Sequence, residues 1–101
     1  MNIIVVGCGK VGSTLAGQLC KEGHDISVID INDNVVEEFS NSYDAMGVCG
    51  NGASYLIQKN AGVASADLVV AVTSSDETNL LACFVAKNLG AKYTIARVRG
   101  Y

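Results

Sequence analysis

Ile3-Ile4-Val5-Val6-Gly7-Cys8-Gly9-Lys10-Val11-Gly12 is the stretch that decides how this chain folds. Its first four residues are apolar and β-branched, long enough for one buried strand and too short for a helix. The strand runs straight into a complete G-x-G-x-x-G. Gly7 permits the tight turn out of the strand, because glycine adopts positive φ without a Cβ clash. Gly9 lets the backbone approach a pyrophosphate, and Gly12 lets the following helix pack against the strand.

Outward from that loop, Leu15, Ala16, Leu19 and Cys20 recur with Val11 at helical spacing, and Gly23 closes the helix. Ile26-Ser27-Val28-Ile29 forms a second strand with Asp30 at its carboxyl end. Asp30 follows Gly12 by 18 residues, close to the roughly 20 of a dinucleotide-binding unit. The free N–H groups around Lys10 to Ser13, with the positive end of the helix dipole, make an anion site. Asp30 can accept both hydroxyls of a ribose diol. Strand, loop, helix, strand and terminal acid stand in the order that binds a nucleotide.

With 101 residues, half of them hydrophobic and 17% charged, the chain reads as one domain with a real core and not as a disordered segment. A formal charge of −3 and no Lys/Arg cluster argue against nucleic acid as a partner. No apolar run approaches the roughly 18 residues of a membrane span. The N-terminus enters a strand directly, so no signal peptide and a cytoplasmic location are expected. Cys8, Cys20, Cys49 and Cys83 are too widely spaced for a zinc ribbon or a redox pair. Buried reduced thiols are expected, with Cys20 and Cys83 on apolar helix faces and Cys49 ending an apolar strand. Cys8 is either a small filler or a thiol of lowered pKa beside a helix N-terminus. His24 lies in a turn without a second ligand, so no metal site is expected.

After Asp30 the pattern repeats. Asn32 or Asp33 caps a second helix whose apolar stripe is Val35, Val36 and Phe39. Residues 44–49 read as a third strand, weakened by Gly47. Gly50-Asn51-Gly52 is a second glycine turn, and Ser54 caps a short helix through Tyr55, Leu56, Ile57 and Ala61. Residues 68–72, the most apolar run, form a fourth strand placed centrally in the sheet. A helix follows from Asp76 to Leu89, with Leu80, Leu81, Cys83, Phe84, Val85 and Leu89 on more than one stripe. One side suits the sheet and the other a partner subunit. Gly90 stops it, and Tyr93-Thr94-Ile95-Ala96 begins a fifth strand ending at Arg97.

The alternation implies an α/β fold, a Rossmann-like doubly wound parallel sheet in the order 3-2-1-4-5, with an unprotected edge at strand 5. The ligand crevice lies where strands 1 and 4 diverge. Gly7–Gly12, Asp30, Gly50–Gly52 and Thr73–Asp76 then share one rim. That rim carries no histidine, no Tyr-x-x-x-Lys pair and no Walker lysine loop, so no catalytic residue is assigned. Ser74 and Ser75 lack a histidine partner, and Asp76 and Glu77 suit a helix dipole better than acid/base work. Binding without turnover is the expectation.

Several stretches together resemble one family. They are residues 1–12, Val28-Ile29-Asp30, Gly50-Asn51-Gly52-Ala53-Ser54, Ala66 to Thr73, Asp76-Glu77-Thr78-Asn79, and Ile95-Ala96-Arg97-Val98-Arg99. In this order they are similar to the TrkA-type potassium-transport nucleotide-binding domain, also called KTN or RCK, over nearly the whole chain. The resemblance implies a regulatory domain or subunit that binds NAD(H) or ATP, ADP or AMP and controls a membrane potassium channel or uptake transporter. It also implies homodimers that build larger rings, peripheral to the inner face of the membrane through the transporter. By position, Gly7, Gly9, Lys10, Val11 and Gly12 would surround the phosphates, and Asp30 the adenosine ribose with Ile31 beside it. Asn51 would lie near adenine, with Thr73, Ser74 and Asp76 along the opposite wall and Arg97 nearby.

Lys10 and Arg97 also read as solvated surface charges, and Thr73 and Asp76 as a turn and a helix cap. The family domain continues into another helix and a sixth strand, so a C-terminally truncated unit is expected. No arginine follows Asp30 to receive a 2′-phosphate, which favours NAD(H) over NADP(H). The alternative reading is the cofactor-binding half of an NAD-dependent oxidoreductase.

Overall fold

In the computed structural model, which describes residues 1–100, the β-branched run forms β1 (Asn2–Val6) and the glycine loop leads into α1 (Lys10–Lys21). There follow β2 (Asp25–Asp30), α2 (Asp33–Ser42), β3 (Met46–Cys49), α3 (Tyr55–Asn60) and a 3₁₀ turn at Val63–Ser65. The chain then forms β4 (Leu68–Ala71), α4 (Asp76–Leu89) and β5 (Tyr93–Ala96). All strand pairs are parallel and the order is β3-β2-β1-β4-β5, as the alternation predicts.

β1 sits in the middle of the sheet because both its faces can be buried. Ile3 and Val5 pack with Ile26, Val28, Ala16 and Phe39 beneath α1 and α2. Ile4 and Val6 point the other way, to Ile29, Val69, Ala82 and Ala86 beneath α4. The period of two along a wholly apolar strand therefore fills two cores at once. The register Val6↔Ile29 and Val6↔Ala71 ends β1, β2 and β4 nearly level, and this makes the rim.

The helices start where capping side chains stand. Asn32 Oδ1 accepts the N–H groups of Asn34 and Val35, Ser54 Oγ that of Ile57, and Ser75 Oγ that of Thr78. Of the two candidate caps for α2, Asn32 does the work.

Two expectations need correction. Residues 44 and 45 are not part of β3, because the Ala45 N–H turns back to Tyr43 O at 2.8 Å. Cys49 is exposed, since β3 is an edge strand and its end leaves the core. α4 turns Asn79, Ala82, Cys83 and Ala86 towards the sheet, as expected of one side, while Leu80, Leu81 and Phe84 face out on the other. α3 starts at the Ser54 cap as expected, and it buries Gln58 while Tyr55 and Leu56 are exposed. The β5 edge exposes Tyr93 and Ile95 as expected.

Candidate functional site

Where β1 and β4 send their chains to opposite faces of the sheet, the rim opens into a cavity of ≈ 540 Å³, within the usual range for a small-molecule site. Gly7, Gly9, Lys10 and Val11 line it from the first loop, and Asp30 and Ile31 from the end of β2. Asn51 stands between Gly50 and Gly52 on one side, and Thr73, Ser74 and Arg97 form the other wall. Ten of the twelve residues expected from the sequence thus come together. Gly12 lies under the loop and Asp76 beyond the wall.

The glycine loop is shaped by contacts that side chains would destroy. Gly7 has φ +102°, and its N–H bonds to Ile29 O at 2.7 Å. A Cβ on Gly12 would lie 1.7 Å from Gly7 O, so only glycine lets α1 meet the loop this closely. Gly9 is different: its Cβ would meet no atom of the described residues within 4 Å. The space beside it belongs to the cavity.

α1 is the one α-helix among the described residues that begins without a side-chain cap, and no acid stands in its first turn. By contrast, α2 and α4 place Asp33 and then Asp76 and Glu77 there. The first N–H groups of a helix have no intrahelical acceptor. At α1 they, the dipole and Lys10 are left for an anion.

Asp30 stands opposite, already oriented. Its Oδ2 accepts the Cys8 N–H at 2.6 Å and its Oδ1 the Asn32 N–H at 2.9 Å. Each carboxylate oxygen keeps a further acceptor site for a hydroxyl. The Cys8 side chain turns into the core, 2% exposed, and packs under α1 and α2. Burial first, and the Asp30 charge second, push its thiol up to about 11. The idea of a thiol activated by the helix N-terminus is thereby overturned: desolvation and a like charge outweigh the dipole.

On the far wall the side chains are largely engaged with the protein itself. Thr73 gives its N–H and its hydroxyl to Asn79 Oδ1 at 2.8 and 2.7 Å. Arg97 is not a solvated surface charge. Its Nη2 donates to Val72 O and Thr73 O at 3.2 and 2.8 Å, and its buried Nε has no acceptor among the described residues. Asn51 turns its Oδ1 back to the Ala53 N–H at 2.9 Å. Asp76 accepts the N–H groups of Arg99 and Gly100 at 3.2 and 3.1 Å, and these bonds first, then the Arg99 charge, lower its pKa. Arg99 also donates to Ser74 O.

The family model for the TrkA-N domain matches residues 3–101. The chain belongs to that family. The TrkA-N domain is 42% identical over 100 residues to the Trk system potassium uptake protein TrkA of Halomonas elongata, covering 98% of this chain and 22% of the relative. It is 36% identical over 98 residues to the TrkA homolog of Methanothermobacter thermautotrophicus, covering 97% and 45%. The domain thus spans less than half the length of these relatives. Among solved structures it resembles the Kef C-terminal domain of Shewanella denitrificans in its AMP-bound form (TM-score 0.80, 19% identity, 94% of this chain and 57% of that one). It also resembles the GsuK channel bound to NAD (TM-score 0.73, 16% identity, 93% and 21%). An anaerobilin reductase, ChuY of Escherichia coli O157:H7, shares the fold as well (TM-score 0.76, 11% identity, 93% and 48%). At these identities the structures show a common fold.

Sequence reasoning missed Gln58 and gave Asn79 no role, yet both are fully buried. A polar residue on the apolar face of a capped helix is the only local signal, and it is a weak one.

Proposed function

We propose that this TrkA-N domain binds a nucleotide with an unphosphorylated adenosine ribose, namely NAD(H), ATP, ADP or AMP, in preference to NADP(H). The observation that carries the reading is the Asp30 carboxylate, fixed by two backbone N–H groups across the cavity from an uncapped helix N-terminus. A ribose diol fits the first and phosphates the second. A 2′-phosphate would meet Asp30, and Ile31, Asn32 and Asp33 offer no cation to relieve it. Gly7, Gly9, Lys10, Val11 and Gly12 hold the phosphates. Ile31 and Asn51 flank the base, and Thr73, Ser74 and Arg97 face the distal part, with Asp76 supporting that wall.

The binding serves regulation of a membrane potassium channel or uptake transporter, as the names of the relatives suggest. Among the described residues the cavity lining has no histidine or tyrosine to move a proton, which supports binding without turnover over an oxidoreductase half. The domain acts from the cytoplasmic side, held peripherally by its transporter partner. No helix among the described residues is long and apolar enough to cross a membrane. The exposed Leu80, Leu81 and Phe84 of α4 suit a second copy of the domain, and through it a ring. Nucleotides of different length reach different distances past Lys10 towards that boundary. A ligand that binds two arrangements of it unequally shifts their populations.

Calorimetric titration with each nucleotide, with Asp30→Ala beside the wild type, tests the binding. The expected order places NAD(H) and the adenine nucleotides above NADP(H), with every one weakened by the substitution. Tighter binding of NADP(H) than of NAD(H) rejects the assignment. Potassium uptake by the intact system that ignores Gly9 and Asp30 substitutions rejects the regulatory role.

A further inference from the structure

Two side chains that are both polar and 0% exposed, Gln58 and Asn79, lie behind the two walls of the cavity. Gln58, on α3, donates both protons of its Nε2 to main-chain carbonyls, Gly52 O at 2.7 Å and Ala82 O at 2.8 Å. Gly52 belongs to the turn that carries Asn51, and Ala82 to the middle of α4. Asn79, one turn earlier on α4, accepts from Thr73 and donates through Nδ2 to Thr73 O and Arg97 O at 3.1 and 2.9 Å. Each wall is therefore tied to the inner face of one helix by a buried amide. The outer face of that helix bears Leu80, Leu81 and Phe84.

We propose that Gln58 is a positioning residue for the nucleotide, fixing the Gly50–Gly52 wall to α4 as Asn79 fixes the Thr73 wall, so that the width of the cavity follows the position of α4. The proposal rests on the nucleotide reading above. Filling space does not explain Gln58. Its Oε1 is buried with no partner among the described residues, a feature that a methionine of similar shape would remove. What the site uses are the two donors. Because a bond between two buried polar groups is strong in a low-dielectric interior, a displacement of α4 is carried to both walls instead of being absorbed between them. Ligand in the cavity and pressure on the outer face of α4 then bias one another reciprocally.

The test compares the wild type with Gln58→Met and with Ile26→Val. Ile26 lies in the other core layer, near the amino end of β2, and its variant controls for lost stability. In the ligand-free protein, amide exchange in residues 50–53 is expected to quicken in Gln58→Met and to stay at the wild-type rate in Ile26→Val. ADP affinity should fall about three- to tenfold in Gln58→Met, the factor for one ordinary hydrogen bond, and not in the control. Unchanged protection of residues 50–53, or equal effects in both variants, overturns the proposal. If Gln58→Met does not fold, Gln58→Glu takes its place. A protonated carboxyl has one O–H and restores only one of the two bonds, so the protection factor of residues 50–53 should rise part-way as the pH is lowered, and a pH-independent protection factor overturns the proposal. A wild type that binds no nucleotide overturns the functional reading and the affinity effect with it, while the exchange comparison still decides whether the tether holds.

Discussion

Gly9→Ala separates binding from folding at the glycine loop. Gly9 has φ −72° and ψ −160°, extended backbone that alanine also adopts, and its Cβ would meet no atom of the described residues within 4 Å. Replacing such a glycine restricts the unfolded chain and stabilises by about 0.4–1 kcal/mol. For a domain of this size that raises Tm by roughly 2–8 °C. The added methyl, however, occupies space that the loop leaves to the cavity. A phosphate displaced from one charge-assisted hydrogen bond loses about 1.5–3 kcal/mol, or some ten- to hundredfold in affinity. Thermal melts and ADP titration of the same preparation read both effects. A variant that melts lower than the wild type refutes the open space beside Gly9. One that binds ADP as tightly refutes the placing of phosphate at this loop.

Gly12→Ala should do the opposite, because its Cβ would lie 1.7 Å from the backbone oxygen of Gly7; a loss of about 3 kcal/mol or more in a urea melt is expected from such overpacking, and a wild-type midpoint would contradict it. The Cys8 thiol, raised from 9.0 to about 11, stays protonated in the folded chain while the unfolded chain ionises. Stability is fully present below pH 9 and falls by about 2–3 kcal/mol as the pH rises to 11; Cys8→Ala should lose that part of the slope in denaturant melts from pH 8 to 11. Iodoacetamide at pH 8 should label the exposed Cys49 well before the buried Cys8 and Cys83, an order that mass spectrometry reads directly. Asp76→Asn should leave the fold in place but quicken amide exchange at Arg99 and Gly100, whose N–H groups it holds. The lowered pKa of Asp76 means that this hold is present above the ordinary carboxylate range and fades as the pH falls through its folded value.

The order of elements was legible because each rests on neighbours in the chain. An apolar β-branched run cannot avoid being a strand, and Gly90 stops α4 where the sequence reading places its end, although the N-cap is Ser75 and not the candidate Asp76, which is the first helical residue. The spacing of Gly7, Gly9, Gly12 and Asp30 likewise places loop and acid without reference to anything distant, since one strand–helix–strand unit contains them all. Right-handed crossovers then leave little choice of sheet order.

The tertiary structure alone decided what each polar side chain is engaged with, because burial and partners come from residues far along the chain. Arg97 reads equally as a site residue and as a solvated surface charge until β4 and β5 lie side by side and Val72 O and Thr73 O take its guanidinium. Cys8 reads as either a small filler or an activated thiol until Asp30 and the α1–α2 core close on it and leave the filler. Gln58 reads as an ordinary helix residue until Gly52 and Ala82, 24 positions beyond it, meet at its amide. Local pattern sets where the backbone goes, whereas the field and the hydrogen-bond partners at a side chain are sums over everything that folding brings near it.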